Sequence, residues 1–418
     1  MNAKRLTTQI LVAMLVGGIL GGILNLYFME YSLVKDFLVG DVFHVIGKIF
    51  VSMLKMLVVP LVFVSLVCGT AALGDIKKLG RLGGKALIFY LGTTALAITL
   101  AVMVAIVVAP GQGSNLSSET NQEYSPPPAP SLAQTIINIV PNNPIQAMAE
   151  GQMLPLIVFS LLFGIAIVMA GESGKRVEQQ FNDYNAIIMQ LVVIVMKLAP
   201  IGIFCLIAKT FASQGFEVFK PLLSYFLVVA GVLIVHGFVT YPILIKTLSG
   251  LDVGIFLKKM RPVQIFAFST ASSNATIPVN IDNSEKRLGV DNSVASFIIP
   301  LGATINMDGT AIMQGVATVF IANVYGVDLT LANYLTVILT ATLASIGTAG
   351  VPGVGLIMLA MVLSQVGLPV EGIALIIGVD RLLDMMRTAV NVTGDAAAAT
   401  IIAKSEDALN QETYRSEK

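Results

Sequence analysis

Long apolar runs separated by short polar breaks organise most of this chain. Residues 10–29, 45–73, 86–109, 153–170, 186–212, 222–248 and 297–322 form runs that reach or approach the ~20 residues a helix needs to cross a bilayer. Up to Leu248 they predict about six ordinary spanning helices joined by short loops. Beyond that point polar, Gly and Pro residues interrupt the apolar segments. "FSTASSNATIPVN" (268–280) and "SIGTAGVPGVG" (345–355) each lie between arms too short to span alone. Each predicts a helical hairpin that enters and leaves on one side, because irregular backbone at membrane depth is tolerated only when buried in protein or lining an aqueous cavity. Two such segments in comparable positions point to a transporter site built on an inverted repeat. The alternative, two extramembrane loops joining four ordinary helices, meets the objection that neither tip carries the charge of a solvated loop.

Two polar patterns sit inside apolar helices. In "LGATINMDGTAIMQG" (301–315), Asn306, Asp308 and Thr310 interrupt what is otherwise one apolar helix, with Gly309 beside them. A carboxylate at membrane depth costs roughly 2.5–3.5 kcal/mol and marks function by default; a structural kink with Asp308 paired to a neighbour is the other reading. In "DRLLDMMRTAVNVTGD" (380–395), Asp380, Asp384, Arg387, Asn391 and Asp395 follow one another at steps of 4, 3, 4 and 4. At 3.6 residues per turn they share an arc of roughly 80°, with Thr388 at its edge and Arg381 about one residue step away. An amphipathic surface helix would account for the stripe, but "AAAATIIA" (396–403) continues the apolar pattern beyond it.

Composition agrees with membrane residence. Of 418 residues 56% are hydrophobic and only 12% charged, about half the charge of a soluble domain. Lys4 and Arg5 precede a first apolar run too long for a cleavable signal, which predicts a retained helix. Cys68 and Cys205 read as packed thiols, and with no Trp, interfacial anchoring falls to Tyr and Phe. Basic turns at Lys77, Lys78, Arg81 and Lys85, at Lys175 and Arg176, and at Lys258, Lys259 and Arg261 predict cytoplasmic positions. The stretch 86–174 contains no Lys or Arg, which puts its Pro-rich loop outside and both termini in the cytoplasm of a multi-pass inner (plasma) membrane protein.

The donor set narrows the ligand. A fixed guanidinium such as Arg387 binds a carboxylate bidentately. A carboxylate a turn earlier receives an ammonium, and an amide holds a second carboxylate, a set that matches an acidic amino acid. Asp308, Asp395, Asn306 and carbonyls of broken helices suit a small hard cation. No H-E-x-x-H or nucleophile–base pattern indicates an enzyme. A pure anion channel would not need the acidic cation ligands.

"KMLVVPLVFVSLV" (55–67), "LGATINMDGT", "LASIGTAGVPGVG" and "LDMMRTAVNVTGD" together resemble the dicarboxylate/amino acid:cation symporters over essentially the whole chain. The resemblance implies an all-α polytopic membrane protein with eight transmembrane helices plus two re-entrant hairpins in inverted repeats. It implies a homotrimer that works as an elevator and has no nucleic-acid partner. The scaffold would comprise residues 1–75 (helices 1 and 2) and 111–215 (an extracellular loop with helices 4 and 5). The transport domain would comprise 76–110 (helix 3) and 216–418 (helix 6, hairpin 1, helix 7, hairpin 2, helix 8 and tail).

Carried over by motif, Arg387 would hold the substrate side-chain carboxylate and Asp384 its amino group. Asn391 and Thr388 would contact the α-carboxylate and amino group, Thr310 the side-chain end, and Ser273, Val351 and Gly355 the ligand from the hairpin tips. Sodium ions, three by analogy, would bind at Gly302, Asn306, Asn391 and Asp395; at Thr304, Ser345, Ile346 and Thr348; and at Tyr90, Thr93, Thr94, Asn306 and Asp308. The family's arginine at the first hairpin tip is Ala271 here, and its alternative position after Asp384 is Met385. Arg381 is therefore expected to pair with Asp384 or Asp380 as a supporting charge pair. The proton-carrying glutamate of animal members corresponds to Gln314, while Asp395 is retained, which favours sodium over protons. His44 and His236 read as packed helix residues. Aspartate and glutamate are the expected substrates, and proton-coupled or C4-dicarboxylate symport the alternatives.

Overall fold

The computed structural model describes residues 3–71, 76–113, 140–215, 219–346, 350 and 353–416. Val351, Thr348 and most of the Pro-rich loop lie outside the described residues. The helices are α1 (Ala3–Tyr27), α2 (His44–Ala71, entered through a π-helical stretch Leu33–Phe43), α3 (Ile76–Val108), α4 (Pro144–Ala149), α5 (Met153–Met169), α6 (Glu172–Lys197) and α7 (Ala199–Gln214). They continue with α8 (Phe219–Val235), a π-helical turn His236–Thr240, α9 (Tyr241–Ser249), α10 (Val253–Thr270), α11 (Ser273–Lys286), α12 (Asn292–Ile305), α13 (Asp308–Tyr325), α14 (Leu331–Ser345), α15 (Val354–Gln365), α16 (Ile373–Ser405) and α17 (Gln411–Arg415). Among the described residues no strand forms; one isolated antiparallel bridge joins Val290 to Leu409.

Among the described residues, four stretches are long and apolar enough to cross a membrane, or five when a bent pair is taken as one span. They are Thr8–Tyr27, Leu33–Cys68, Arg81–Val108 and Phe219–Ser249. The bent pair corrects the reading of residues 186–212 as one uninterrupted helix: α6 and α7 meet at Leu198 with a bend of 46°. Pro200 sits in the first turn of α7, where its missing N–H costs nothing but would break a continuing helix.

Helices α1, α2, α5, α6 and α7 pack on one another. On α1, a β-carbon at Gly17 would lie 2.9 Å from the Phe204 carbonyl and one at Gly21 2.5 Å from that of Ala208. The small residues therefore let two helix backbones approach closely, as in membrane helix pairs. The second group centres on α16, which packs against α8, α9, α10, α11, α12 and α13, while α3 lies along α13 and α14. The two groups meet where α15 touches α2 and α16 touches α7. Cys205 is buried and Cys68 half-buried, both as free thiols.

Two helical hairpins occupy the interrupted regions. In the first, α10 ends at Ala271, which takes a left-handed φ of 49°, and Ser272 caps α11 by accepting from Ala275 N at 3.2 Å. Most of the polar run 268–280 is thus helical, with the break confined to Ala271–Ser272. Left-handed backbone is costly for a residue with a β-carbon, so tertiary contacts must hold this tip. The Ser272 hydroxyl and Asn274 N both donate to Gly350 O, at 2.9 and 3.2 Å. The second hairpin is formed by α14 and α15, and the two tips therefore meet. The segment 297–322 breaks at Asn306, whose backbone is extended, between α12 and α13.

Candidate functional site

The polar stripe lies on one continuous 33-residue helix, α16. Asp380, Asp384, Arg387, Asn391 and Asp395 are all buried, as is Arg381. Five buried charges on one helix demand partners, because an unpaired charge out of water costs far more than any hydrogen bond returns. Arg387 meets that demand within its own helix. Its Nη1 donates to Asp380 Oδ1 and its Nη2 to Asp384 Oδ1, each at 2.8 Å. Arg381 Nη1 lies 3.3 Å from Asp384 Oδ2. Asp384 is thus shared by two guanidinium groups, and Asp380 pairs with Arg387 rather than with its neighbour in sequence. Arg387 Nε is buried without a hydrogen-bond partner among the described residues.

Ser273, Thr310, Gly355, Asp384, Arg387, Thr388 and Asn391 line a single small cavity of about 20 Å³. Ala271, Met307 and Gly350 complete its wall. It lies where the hairpin tips, the break between α12 and α13, and the stripe of α16 converge. The lining is amphoteric, with a guanidinium and a carboxylate side by side among hydroxyl, amide and backbone groups. Those groups are of the kinds that would pair with both charges of a small zwitterion carrying a further carboxylate. Thr388 Oγ1 donates to Asp384 O at 2.8 Å, back-bonding within its helix.

Beside this cavity lies a second polar knot. Asn306 Nδ2 donates to Asn391 O at 2.8 Å and to Asp395 Oδ1 at 2.9 Å, leaving its own Oδ1 buried with no partner among the described residues. Asn391 Oδ1 accepts from Gly309 N at 2.8 Å. Gly302 borders the same space: a β-carbon there would overlap Asp395 Oδ1 and lie 2.6 Å from Tyr90 OH. Gly302, Asn306, Asn391 and Asp395 are therefore brought together. A lone buried carbonyl oxygen next to a carboxylate and backbone oxygens is a donor set for a hard monovalent cation.

Asp308 is the centre of a third group. It is fully buried and accepts from Thr94 Oγ1 at 2.6 Å and from Tyr241 OH at 2.8 Å, with His236 Nε2 at 2.9 Å. Tyr90 OH donates to Ile298 O at 3.0 Å, and Thr93 Oγ1 to Tyr90 O at 3.2 Å. The remaining expected cation set is less assembled: Thr304 and Ser345 donate to Leu301 O and Thr342 O of their own helices, and Ile346 N bonds to Leu343 O. Among the described residues no cluster of three or more His, Cys, Asp or Glu side chains forms a metal site.

His236 is the residue that sequence reasoning missed. It is packed, as expected for a helix histidine, but against Asp308 rather than only against apolar neighbours. Tyr241 lies five residues on, which in a regular α-helix would set the two about 140° apart. The π-helical turn His236–Thr240 widens the spiral, and their rings sit 4.6 Å apart, edge to face, over the same carboxylate. Such π-helical turns inside α-helices are frequent at functional sites, but no residue pattern in "HGFVT" announces one.

Residues 6–405 match the sodium:dicarboxylate symporter family. A proton/sodium-glutamate symport protein of Bacillus caldotenax is 37% identical over 97% of this chain and 96% of its own length. A proton/glutamate-aspartate symporter of Escherichia coli (strain K12) is 38% identical over 96% and 93%, and a C4-dicarboxylate transport protein of Bacillus subtilis (strain 168) 35% identical over 98% and 95%. The chain belongs to the sodium:dicarboxylate symporter family and is a membrane transporter, not an enzyme.

Proposed function

We propose that this chain is a secondary active symporter that takes up L-aspartate or L-glutamate together with sodium ions. The observation that carries the reading is the single cavity in which Arg387 and Asp384 stand side by side beneath both hairpin tips. The side-chain carboxylate of the substrate replaces Asp380 as a partner of the Arg387 guanidinium, and its ammonium is drawn to Asp384. Thr310, Thr388, Asn391, Ser273, Gly355 and Val351 complete the contacts. At about 20 Å³ the cavity has room for little more than a water molecule, so an amino acid enters only when the hairpin tips part. The Gly350 carbonyl, which accepts from Ser272 and Asn274 across the gap, is the latch to be broken.

Sodium fits the two oxygen-rich knots better than a proton does. Asn306 Oδ1, Asp395 and the Gly302 backbone form one cradle; Asp308, Thr94, Thr93 and Tyr90 form the other. Thr304, Ser345, Ile346 and Thr348 form a third as the second hairpin closes. Gln314, buried on α13, carries no titratable proton. The grouping of α1, α2, α5, α6 and α7 against a body centred on α16 supports a scaffold and a sliding transport domain; eight spans, two re-entrant hairpins, three copies per assembly and cytoplasmic termini complete the reading on the sequence resemblance and the positive-inside rule.

A C4-dicarboxylate is the second reading, raised by the Bacillus subtilis relative. It would place a carboxylate against Asp384 where an ammonium is called for, a costly mismatch in a desolvated site. Counterflow of labelled aspartate in proteoliposomes, with and without sodium, tests the proposal. Uptake that ignores a sodium gradient and follows a pH gradient would replace sodium with protons, and competition by succinate but not by aspartate would replace the substrate.

A further inference from the structure

The segment after α16 crosses the base of the first hairpin and ties four chain ends together. Glu406 pairs with Arg81 and with Lys85, at 2.5 Å for the latter, and so reaches α3. Asp291 N donates to Ala408 O at 2.9 Å and Asn410 N to Gly289 O at 2.8 Å, joining the start of α12 and the turn before it. Tyr414 is buried, and its hydroxyl donates to Asp252 O at 2.7 Å, at the start of α10. At the centre is Lys259, on the first arm of the hairpin and only 4% exposed. Its Nζ donates to Arg287 O at 2.7 Å, Thr413 O at 2.9 Å and Tyr414 O at 2.8 Å.

This is an unusual use of a lysine. An ammonium has three donors, and here all three are spent on main-chain carbonyls. Among the described residues no carboxylate forms an ion pair with it. Arg287 is the C-cap of α11, and Thr413 and Tyr414 lie in the last turn of α17, so one cation serves two helix C-termini, where it is electrostatically favoured. Lys259 thereby joins the first arm of the hairpin to the end of the second arm and to the following segment at once. The far ends of the same two arms, Ala271 and Ser273, line the substrate cavity, some 18 Å away along α10 by helical rise. Any spreading at the base is transmitted to the tips by two stiff helices.

We propose that Lys259 is a positioning residue, which through the strap 406–416 holds the first hairpin as a fixed wall of the substrate site. The inference rests on the reading that this cavity is the substrate site.

The test is uptake of labelled L-aspartate into proteoliposomes by Lys259→Met and, separately, Gly289→Ala. Gly289 has φ +74°, and a β-carbon there would overlap Asn410 O, so the second variant displaces the strap without touching Lys259. Each variant is expected to raise KM about three- to tenfold while turnover per folded molecule stays within about twofold. Hydrogen exchange is expected to quicken at 287–291. A merely structural role would lower the folded fraction and leave KM alone. If Lys259→Met does not fold, Gly289→Ala decides. Unchanged KM in the folded variants overturns the proposal. Arg387→Ala, run alongside, separates the two readings: if it leaves uptake intact the site assignment itself fails, whereas loss of uptake there with unchanged KM in the strap variants defeats only this inference.

Discussion

His236 Nε2 lies 2.9 Å from Asp308 Oδ2, and neither side chain is exposed. With Thr94 and Tyr241 on the same carboxylate, Asp308 receives three side-chain partners from two helical segments outside its own. Under the proposed sodium coupling, His236 and Tyr241 would orient the cation ligand Asp308 rather than bind the cation, and loss of such groups typically costs 10–100-fold in metal affinity. His236→Phe keeps an aromatic ring but removes the donor. The sodium concentration for half-maximal aspartate uptake is expected to rise by about tenfold or more, with protein yield little changed. An unaltered sodium dependence would show that the contact is packing alone.

Gly302 supplies the sharper test of the cradle at Asp395. An added methyl would enter the space bounded by Asp395 Oδ1 and Tyr90 OH. Overpacking a closed site costs typically about 1–3 kcal/mol, and here it also fills the volume assigned to the ion. Purified wild-type protein should melt higher in sodium than in choline, because a bound ion stabilises only the folded state. Gly302→Ala should lose most of that difference. Equal sodium stabilisation in both proteins would remove Gly302 and Asp395 from the cation site.

Much of this arrangement was legible beforehand, for identifiable reasons. The stripe on α16 follows from helical spacing, and a regular 33-residue helix honours it. The break at Asn306 and both hairpins follow from polar, Gly and Pro residues where apolar ones would be expected. Three features escaped, each for its own physical reason. His236 joins the site through a local change of helix pitch. The bend at Leu198 needs Pro200 to act within a run that hydropathy reads as continuous. Lys259 looks like one of several charges in a basic turn, yet it is buried under a segment more than 150 residues away in sequence, as the spacing of 154 to Thr413 shows. Hydropathy reports that a charge is present, not whether a carbonyl cluster is waiting for it.

The two arginines of α16 should differ in kind. Arg387→Ala would leave Asp380 and Asp384 buried without their shared cation, and breaking such a pair costs about 3–5 kcal/mol. Loss of both thermal stability and aspartate uptake is expected, with no rescue by raising substrate. Arg381→Ala removes the 3.3 Å contact to Asp384, which keeps its bond from Arg387. Stability should fall by less, while KM for aspartate rises severalfold, about a kcal/mol in binding. Full affinity and rate in Arg381→Ala would end its role as support for Asp384.

In the strap that follows α16, Glu406 offers a pH signature. A hydrogen bond from Lys85, followed by the charges of Arg81 and Lys85, holds its carboxyl below the usual value of 4.5, outweighing the opposing effect of burial. A carboxylate with a depressed pKa in the folded state stabilises the fold above its unfolded value. That contribution fades as pH falls through the folded value. The strap contact is therefore complete throughout the range from pH 5 to 8 and weakens only below about 4.5. Glu406→Gln should melt at a lower temperature than wild type at pH 7, and the two melting curves should converge as the pH drops below 4.5. Any pH dependence of uptake between 5 and 8 must then arise elsewhere. A gap between the two proteins that widens on acidification would contradict the assignment of Glu406 as an ionised partner of Lys85.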